Sequence, residues 1–142
     1  MTGYADTHSN SLGWLLDRQL AGVPDVRGAL LISSDGLLSS RTATMSQERG
    51  EKLAAITAAL RAAALSYAEL SGGGGVRQVV TETDGHLYLV TRAGHNMLLG
   101  VETSALDVDV EAITEEMIRL ADRVHDEMTV ADRQTVTEAP ER

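Results

Sequence analysis

One stretch of helix-forming residues constrains this chain more than any other feature. The segment Leu53–Leu70 contains no Gly or Pro, a potential capping residue, Ser46, lies upstream, and the glycine run Gly72–Gly75 follows. Strong helix formers between a capping residue and a terminating glycine are typical of a single continuous helix. We therefore predict a helix from Gln47 to Ser71.

The predicted helix is apolar on both sides. Its larger apolar residues recur at the spacing of one helical stripe, which we expect to face the domain's own core: Leu53, Ile56, Leu60, Tyr67 and Leu70. The opposite face, at about 100° per residue, carries Ala54, Ala58, Arg61, Ala62, Leu65 and Glu69. Because one core uses only one stripe, we expect this second face to contact another protein. The alternative is that alanine, the best helix former, simply lies in water there.

Length and charge exclude several classes of function. The chain has 142 residues, which suits a single domain with a closed core. Its 12 Lys and Arg against 21 Asp and Glu give a net charge of −9, which argues against a surface for nucleic acid or for an anionic membrane. The absence of cysteine excludes disulfides and zinc sites built on thiolates.

The N-terminus has no signal-like apolar segment, and no continuous apolar run approaches the roughly 18 residues that a bilayer span needs. We therefore expect a cytoplasmic protein that does not insert directly into a membrane.

Periodicity and turn residues place two more helices and five strands around the long helix. The predicted elements, in chain order, are a helix between Ser11 and Gly22, strands Val26–Ser33, Leu37–Thr44, Val76–Thr83, His86–Arg92 and Met97–Glu102, and a helix from about Val110 to Met128. We expect the third of these strands at a sheet edge and the last in the centre. Residues 1–10 are predicted to be a flexible leader, 11–128 the domain, and 129–142 a disordered tail.

The sequence offers little support for catalysis. His86 and His95 flank one strand, but no further ligand accompanies them at metal-binding spacing. The glycine run follows a helix, whereas a phosphate-binding glycine loop follows a strand and opens a helix. No nucleophile motif occurs. We therefore expect no enzyme, no metal and no cofactor, and a small-ligand sensor is kept as a less favoured alternative.

These elements, with their turn residues, resemble the roadblock/dynein-light-chain family. The resemblance is carried by Val23-Pro24, Val26 and Gly28 before and within the first strand, by the Asp35-Gly36-Leu37 hairpin, and by the strand pair beginning at His86 and Met97. It covers roughly Ser11 to Met128. In its Ala- and Arg-rich style the chain is also similar to the roadblock proteins of actinobacterial conservons, which are encoded beside a sensor-kinase-like protein and a small Ras-like GTPase.

The resemblance implies an α+β, profilin-like fold of order α-β-β-α-β-β-β-α. Its five-stranded antiparallel sheet has the long helix on one face and the two terminal helices on the other. It also implies a homodimer, in which the long helices pair and the strand Val76–Thr83 extends the sheet across the two-fold axis. The interface predicted from the helix face and this strand consists of Ala54, Ala58, Arg61, Ala62, Leu65, Glu69, Val76, Gln78 and Val80.

The function implied by the resemblance is that of a non-catalytic regulatory or adaptor subunit of a small Ras-like GTPase signalling module. A sensor-kinase-like protein is the second implied partner, and such partners would place the protein at the inner face of the membrane. Arg61 and Arg77 have the chemistry of arginine fingers, although we expect interface contacts or surface salt bridges from them. The alternative is a pure scaffold that leaves nucleotide turnover unchanged.

Overall fold

The computed structural model of the protein describes residues 10–138, and residues 134–138 by their backbone alone. The elements are α1 Gly13–Leu20, β1 Val26–Ser33, β2 Leu38–Arg41, α2 Gln47–Ser71, β3 Gln78–Glu82, β4 Leu87–Arg92, β5 Met97–Thr103 and α3 Val110–Glu138. Their order is the predicted one, and the bounds of β1 and α2 agree with the sequence prediction.

The five strands form one antiparallel sheet in the order β2-β1-β5-β4-β3. All seven residues of β5 are buried, as expected for the central strand, whereas β3 lies at the edge. The predictions of a central last strand and an edge third strand are both confirmed. Side chains alternate between the two faces of a strand, so the sheet supplies two separate cores.

Each face of the sheet is covered as predicted. Leu31, Leu89, Leu99 and Val101 pack under α1 and α3, with Leu15 and Leu16 from α1 and Ile113, Met117, Leu120 and Val124 from α3. Leu30, Ile32, Val90 and Leu98 face α2 on the other side. The α+β sandwich with one long helix opposite two terminal helices is therefore confirmed.

The core-facing side of α2 is made of small residues. Gly50, Ala54, Thr57 and Ala68 are its buried positions. A Cβ atom at Gly50 would lie 2.9 Å from Cδ2 of Leu38, which shows how closely the helix approaches β2. Because the sheet contributes most of the bulky side chains, small residues suffice where the helix is closest to it. Leu53 and Leu60 of the helix are half-buried and pack against the same core.

The predicted orientation of α2 is therefore wrong for three of its five stripe residues, whereas Leu53 and Leu60 are half-buried and pack against the core. Ile56, Tyr67 and Leu70, which the apolar stripe assigned to the core, are 54%, 69% and 86% exposed. The predicted outer residue Ala54 is fully buried against the sheet instead. The stripe of large apolar residues and the stripe that packs closest to the sheet are different. Close approach to the sheet requires small side chains, and large apolar ones do not fit there.

A buried tyrosine fixes the middle of α2 to the sheet. The hydroxyl groups of Tyr88 and Thr57 are 2.6 Å apart, and the Thr57 hydroxyl also donates to the carbonyl of Leu53 at 2.7 Å. Gly100 of β5 makes room for this ring, since a Cβ atom at Gly100 would overlap the Tyr88 hydroxyl and lie 2.8 Å from Cζ. Burial raises the pKa of Tyr88 far above its usual range, although the Thr57 hydroxyl opposes this shift.

A bidentate ion pair fixes the first turns of α2. Arg49 donates to both carboxylate oxygens of Glu102 on β5, at 2.6 and 2.7 Å. Burial alone would raise the pKa of Glu102, but the hydrogen bonds and charge of Arg49, with smaller contributions from Arg27 and His86, hold it below its usual value. Glu102 is therefore ionised at neutral pH, and the pair ties the helix to the central strand.

Three elements differ from their predicted bounds by more than one residue, and β4 and β5 differ by one residue at one end. β2 ends at Arg41 rather than Thr44, and the hydroxyl of Thr42 there accepts the backbone N–H of Ala29 at 3.1 Å. β3 is also shorter, Gln78–Glu82 instead of Val76–Thr83. α3 continues ten residues past Met128 to Glu138, where no Gly or Pro interrupts it.

The helical continuation corrects the prediction of a disordered tail for residues 129–138. The rest of that tail, 139–142, and residues 1–9 of the predicted leader lie outside the described residues. The last leader residue, Asn10, accepts the backbone N–H of Arg41 at 2.7 Å.

We expect Gly100→Ala to lower the free energy of unfolding by about 1–3 kcal/mol, because the new methyl group displaces the buried Tyr88 ring. Chemical denaturation at fixed protein concentration measures this loss. Gly85→Ala is the matched control, since nothing lies within 4 Å of a Cβ atom there, and it should change stability by no more than about 0.5 kcal/mol. Equal effects of the two substitutions would contradict the close packing of Tyr88 on Gly100.

We expect Glu102→Gln to lower the free energy of unfolding by about 1–3 kcal/mol at neutral pH, since it removes charge-assisted hydrogen bonds while keeping the shape of the side chain. A carboxyl with a lowered folded pKa stabilises the fold above its unfolded pKa, about 4.3 for glutamate, and loses that contribution as the pH falls through its folded pKa. The difference between wild type and variant should therefore shrink in acid. A stability difference that does not depend on pH would contradict the role assigned to the ionised Glu102 carboxylate. The control is Glu115→Gln, which removes an exposed partner of Arg119.

Candidate protein-interaction surface

The outward face of α2 carries an unpartnered apolar stripe. Ile56, Ala63 and Leu70 recur at intervals of seven residues, and Tyr67 lies beside them. All four are exposed, and the three larger ones are among the most exposed apolar side chains of the described residues. Repetition every seven residues keeps side chains on one side of a helix, which is the pattern of helices that pair with other helices.

This stripe adjoins the edge strand of the sheet. Tyr67 and Ala64 of α2 line one groove together with Val76 and Gln78, which lead into and begin β3. Ala58, in contrast, lies beside the β1–β2 turn, where a Cβ atom on Gly36 would be 3.2 Å from its own. The exposed stripe therefore belongs to the β3 side of the helix, and Ala58 to the β2 side.

β3 itself has one unpaired edge. It pairs with β4 along Gln78–Glu82 and is the last strand in the sheet order within residues 10–138. Val80, in its middle, is 49% exposed. An open strand edge offers free backbone donors and acceptors to another strand. We call the exposed stripe of Ile56, Ala63, Tyr67 and Leu70 together with β3 the α2–β3 surface.

The nine predicted interface residues are divided by the structure into four groups. Ala54 is in the domain's own core and cannot contact another protein, because its side chain is fully buried. Ala62, Leu65 and Glu69 are exposed, but they follow Ala58 around the helix, away from the stripe. Ala58 and Arg61 are half-buried. Val76, Gln78 and Val80 lie on the β3 side and belong with the exposed stripe.

Ile56, Tyr67 and Leu70 are surface residues, although the apolar periodicity of the sequence assigns them to the core. A signal for the correct orientation existed in Gly50, Ala54, Thr57 and Ala68, which are small residues on one side of the helix. A stripe of small residues allows a helix to lie close to a sheet, and the bulky stripe then has to face outward.

Arg61 has an unusual environment. Its Nε is buried and has no hydrogen-bond partner among the described residues. Burial lowers the pKa of Arg61, and the nearby positive charge of Arg92 lowers it further. No carboxylate among the described side chains, residues 10–133, lies within 4.0 Å of its guanidinium. The surface salt bridge expected for Arg61 is therefore not present in the described protomer.

A wide groove lies at the start of β3. Its volume is about 750 Å³, and it is lined by Val76, Arg77, Gln78, Thr91, Arg92, Thr114, Ile118 and three glycines. The lining combines two guanidinium groups, two hydroxyls and an amide with apolar side chains, and it contains no carboxylate among the described residues. Such a set can bind an anionic group but contains no general acid–base pair.

Histidine and acidic side chains form no candidate metal centre in the part of the chain that is described, where no three of them come together. His86 lies 3.8 Å from a carboxylate oxygen of Glu102, which already pairs with Arg49. His95 is exposed at the other end of β4. The two predicted strand-end histidines therefore do not meet.

By length and composition alone, α2 could cross a membrane, since it has 25 residues and a mostly apolar sequence. In the fold, however, Arg49 and Thr57 of this helix are hydrogen-bonded to the sheet. A helix that packs on a sheet and exposes one apolar side can form a protein–protein interface. The absence of membrane insertion stays a prediction.

The chain was compared with known families and structures. The family model of the Roadblock/LC7 domain matches residues 12–103. A Roadblock/LC7 domain from Streptomyces avermitilis is 30% identical, with a TM-score of 0.78 over 83% of this chain and 98% of that one. A comparison with curated protein sequences gives no significant match.

Two more distant structures share the fold. Myxococcus xanthus MglB is 18% identical, with a TM-score of 0.74 over 84% of this chain and 96% of that one. The gliding protein MglB from Thermus thermophilus is 21% identical, with a TM-score of 0.68 over 80% and 87% of the two chains. At this identity the likeness concerns the fold alone. The family match, which runs from the residue before α1 to the end of β5, establishes that the chain belongs to the Roadblock/LC7 domain family.

Proposed function

We propose that the protein is a homodimeric regulatory or adaptor subunit of a small Ras-like GTPase signalling module, without catalysis of its own. One observation carries the proposal: an exposed apolar helical stripe lies beside an unpaired strand edge. Membership of the Roadblock/LC7 domain family supports it, since the resemblance to that family implies both pairing and a GTPase partner. Cytoplasmic location, an actinobacterial source and a sensor-kinase-like second partner are parts of the same proposal.

The spacing of the exposed stripe residues fits a two-fold axis that relates two copies of α2. Ala63 lies midway between Ile56 and Leu70, seven residues from each. In an antiparallel pair of helices centred on Ala63, Ile56 of one protomer meets Leu70 of the other, and the alanine allows the helices to approach closely. A two-fold interface uses the same surface on both protomers. The β3 edges lie on the same side and can pair antiparallel across that axis.

Hydrophobic burial supplies the driving force for this pairing. Fully burying an apolar side chain of this size is worth about 1.5–3 kcal/mol. A two-fold dimer would cover six such side chains, Ile56, Tyr67 and Leu70 from each protomer. The gain has to exceed an association cost of about 4–15 kcal/mol. The stripe alone is of the right order, and strand pairing would add backbone hydrogen bonds.

We expect Ala63→Glu to dissociate the dimer, because a charge buried in an interface without a partner costs about 3–5 kcal/mol, or more than a hundredfold in the dissociation constant. Light scattering at micromolar concentration measures the change. Ala62→Glu is the matched control: it makes the same substitution one position along, on the β2 side of the helix, and should leave the dimer intact.

A monomeric wild type at that concentration would contradict the homodimer. Dissociation by Ala62→Glu but not by Ala63→Glu would instead return the interface to the face predicted from sequence.

We expect affinity capture from the source cell to recover a Ras-like GTPase with the wild-type protein. The purified pair is then assayed for GTP hydrolysis and nucleotide release, and we expect at least one of these rates to change severalfold. If the GTPase binds but neither its rate of GTP hydrolysis nor its rate of nucleotide release changes, the scaffold alternative is favoured. Recovery of no GTPase by the dimeric wild type would contradict a GTPase module.

A further inference from the structure

Three arginines gather at one end of the sheet. Arg77 lies just before β3, Arg92 ends β4, and the charge of Arg61 on α2 is close enough to Arg92 for the two to interact. We call these three residues the arginine end. Arg77 and Arg92 line the 750 Å³ groove. Arg61 does not line it, but its charge interacts with that of Arg92.

The arginine end has no close carboxylate partner among the described side chains, residues 10–133. No carboxylate oxygen of these residues lies within 4.0 Å of any of the three guanidinium groups. Arg49 and Arg119, in contrast, both have carboxylate partners. The chain carries a net charge of −9, so acidic side chains are plentiful elsewhere. An uncompensated cluster of like charge in an acidic protein therefore identifies a local surface with its own electrostatic preference.

Arg61 has a buried hydrogen-bond donor without an acceptor among the described residues. Its Nε is shielded from solvent and donates no hydrogen bond within the described residues, and such a desolvated donor is unfavourable in the folded protomer. Its lowered pKa has the same physical origin, burial beside a like charge. A carboxylate bound near Arg92 would offset the repulsion between the two guanidinium groups.

The groove beside these arginines has a mixed lining. Gln78, Thr91 and Thr114 offer polar atoms, and Val76 and Ile118 offer apolar contacts. Ile118 is 55% exposed although α3 carries it next to the sheet. A phosphate group would use the polar atoms alone, whereas a peptide segment with acidic and apolar side chains would use both kinds. A nucleic acid would be repelled by the net negative charge of the chain.

We propose that the groove at the arginine end binds an acidic segment of a partner protein, whose carboxylates pair with Arg92 and Arg77 and whose apolar side chains contact Val76 and Ile118. Arg61 adds to the positive potential beside Arg92. The inference rests on the proposed function in taking the ligand to be a protein. It adds the chemistry by which that partner is recognised. Arginine suits this role because its guanidinium binds a carboxylate through two parallel hydrogen bonds.

The test uses a fluorescein-labelled peptide of alternating Glu and Leu, with a Gln-and-Leu peptide as the neutral control. Fluorescence anisotropy with the full chain should show tighter binding of the Glu peptide, and that binding should weaken as salt is added. We expect Arg92→Gln to raise its Kd about tenfold or more. Arg119→Gln should leave the Kd unchanged, since Arg119 lies on α3 and is already paired with Glu116.

Arg61→Met supplies a second readout that does not depend on loss of structure. Because it removes a buried donor that has no acceptor among the described residues, it should leave the melting temperature unchanged or raise it, while weakening binding of the Glu peptide. A purely structural role for Arg61 would lower the melting temperature instead and would overturn its part in the site.

Equal binding of the two peptides, or equal weakening by Arg119→Gln and Arg92→Gln, would overturn the proposal. Binding of pyrophosphate without binding of the Glu peptide would overturn it in favour of a phosphate ligand. Light scattering on the same samples separates this proposal from the homodimer: Arg-dependent peptide binding by a monomeric protein would sustain the acidic-segment site while the dimer fails.

Discussion

The close contact between α2 and the sheet determines which surfaces this protein offers to others. Small residues line the contact from the helix side, and Gly100 makes the matching space on the central strand so that Tyr88 can reach Thr57. Leu53 and Leu60 are half-buried and pack against the α2-side core. Ile56, Tyr67 and Leu70 face outward, so the domain is left with an apolar stripe that its own core does not use.

Polar contacts hold this arrangement in place. The Arg49–Glu102 pair joins the first turns of α2 to β5, and the Tyr88–Thr57 contact joins its middle. Both lie between elements far apart in sequence, and both need the backbone geometry around them, because a buried polar group without its partner is costly. Among the described side chains, the C-terminal half of the helix has no such polar attachment to the sheet, and the exposed Tyr67 and Leu70 lie in this half.

Two surfaces of different character result. The α2–β3 surface is apolar, has a natural two-fold arrangement around Ala63, and suits a second copy of the chain. The arginine end is cationic, has one buried donor without an acceptor among the described residues, and suits an acidic segment of a different protein. A regulatory subunit needs both kinds of contact, one to build its own assembly and one to recognise a partner. The two surfaces meet at Val76 and Gln78, which line both the groove beside Tyr67 and the groove at the arginine end.

Sequence by itself determined the order and type of every element, the bounds of β1 and α2, the edge position of β3 and the family. Local propensity, turn chemistry and periodicity are sufficient for these features, because each is a property of neighbouring residues. The helical extent of α3 past Met128 was missed, although the lack of Gly or Pro before Pro140 was visible in the sequence.

Only the tertiary structure decided which side of α2 faces inward. Periodicity predicts that a helix has an apolar stripe, but it does not predict what the stripe packs against. In α2, a stripe of small residues and a stripe of large ones could each face the sheet. The outcome depends on Tyr88, Gly100 and Leu38, which come from three different strands. The isolation of Arg61 from every described carboxylate is likewise a property of the folded chain. Distances between residues remote in sequence are set by packing, and no local pattern contains them.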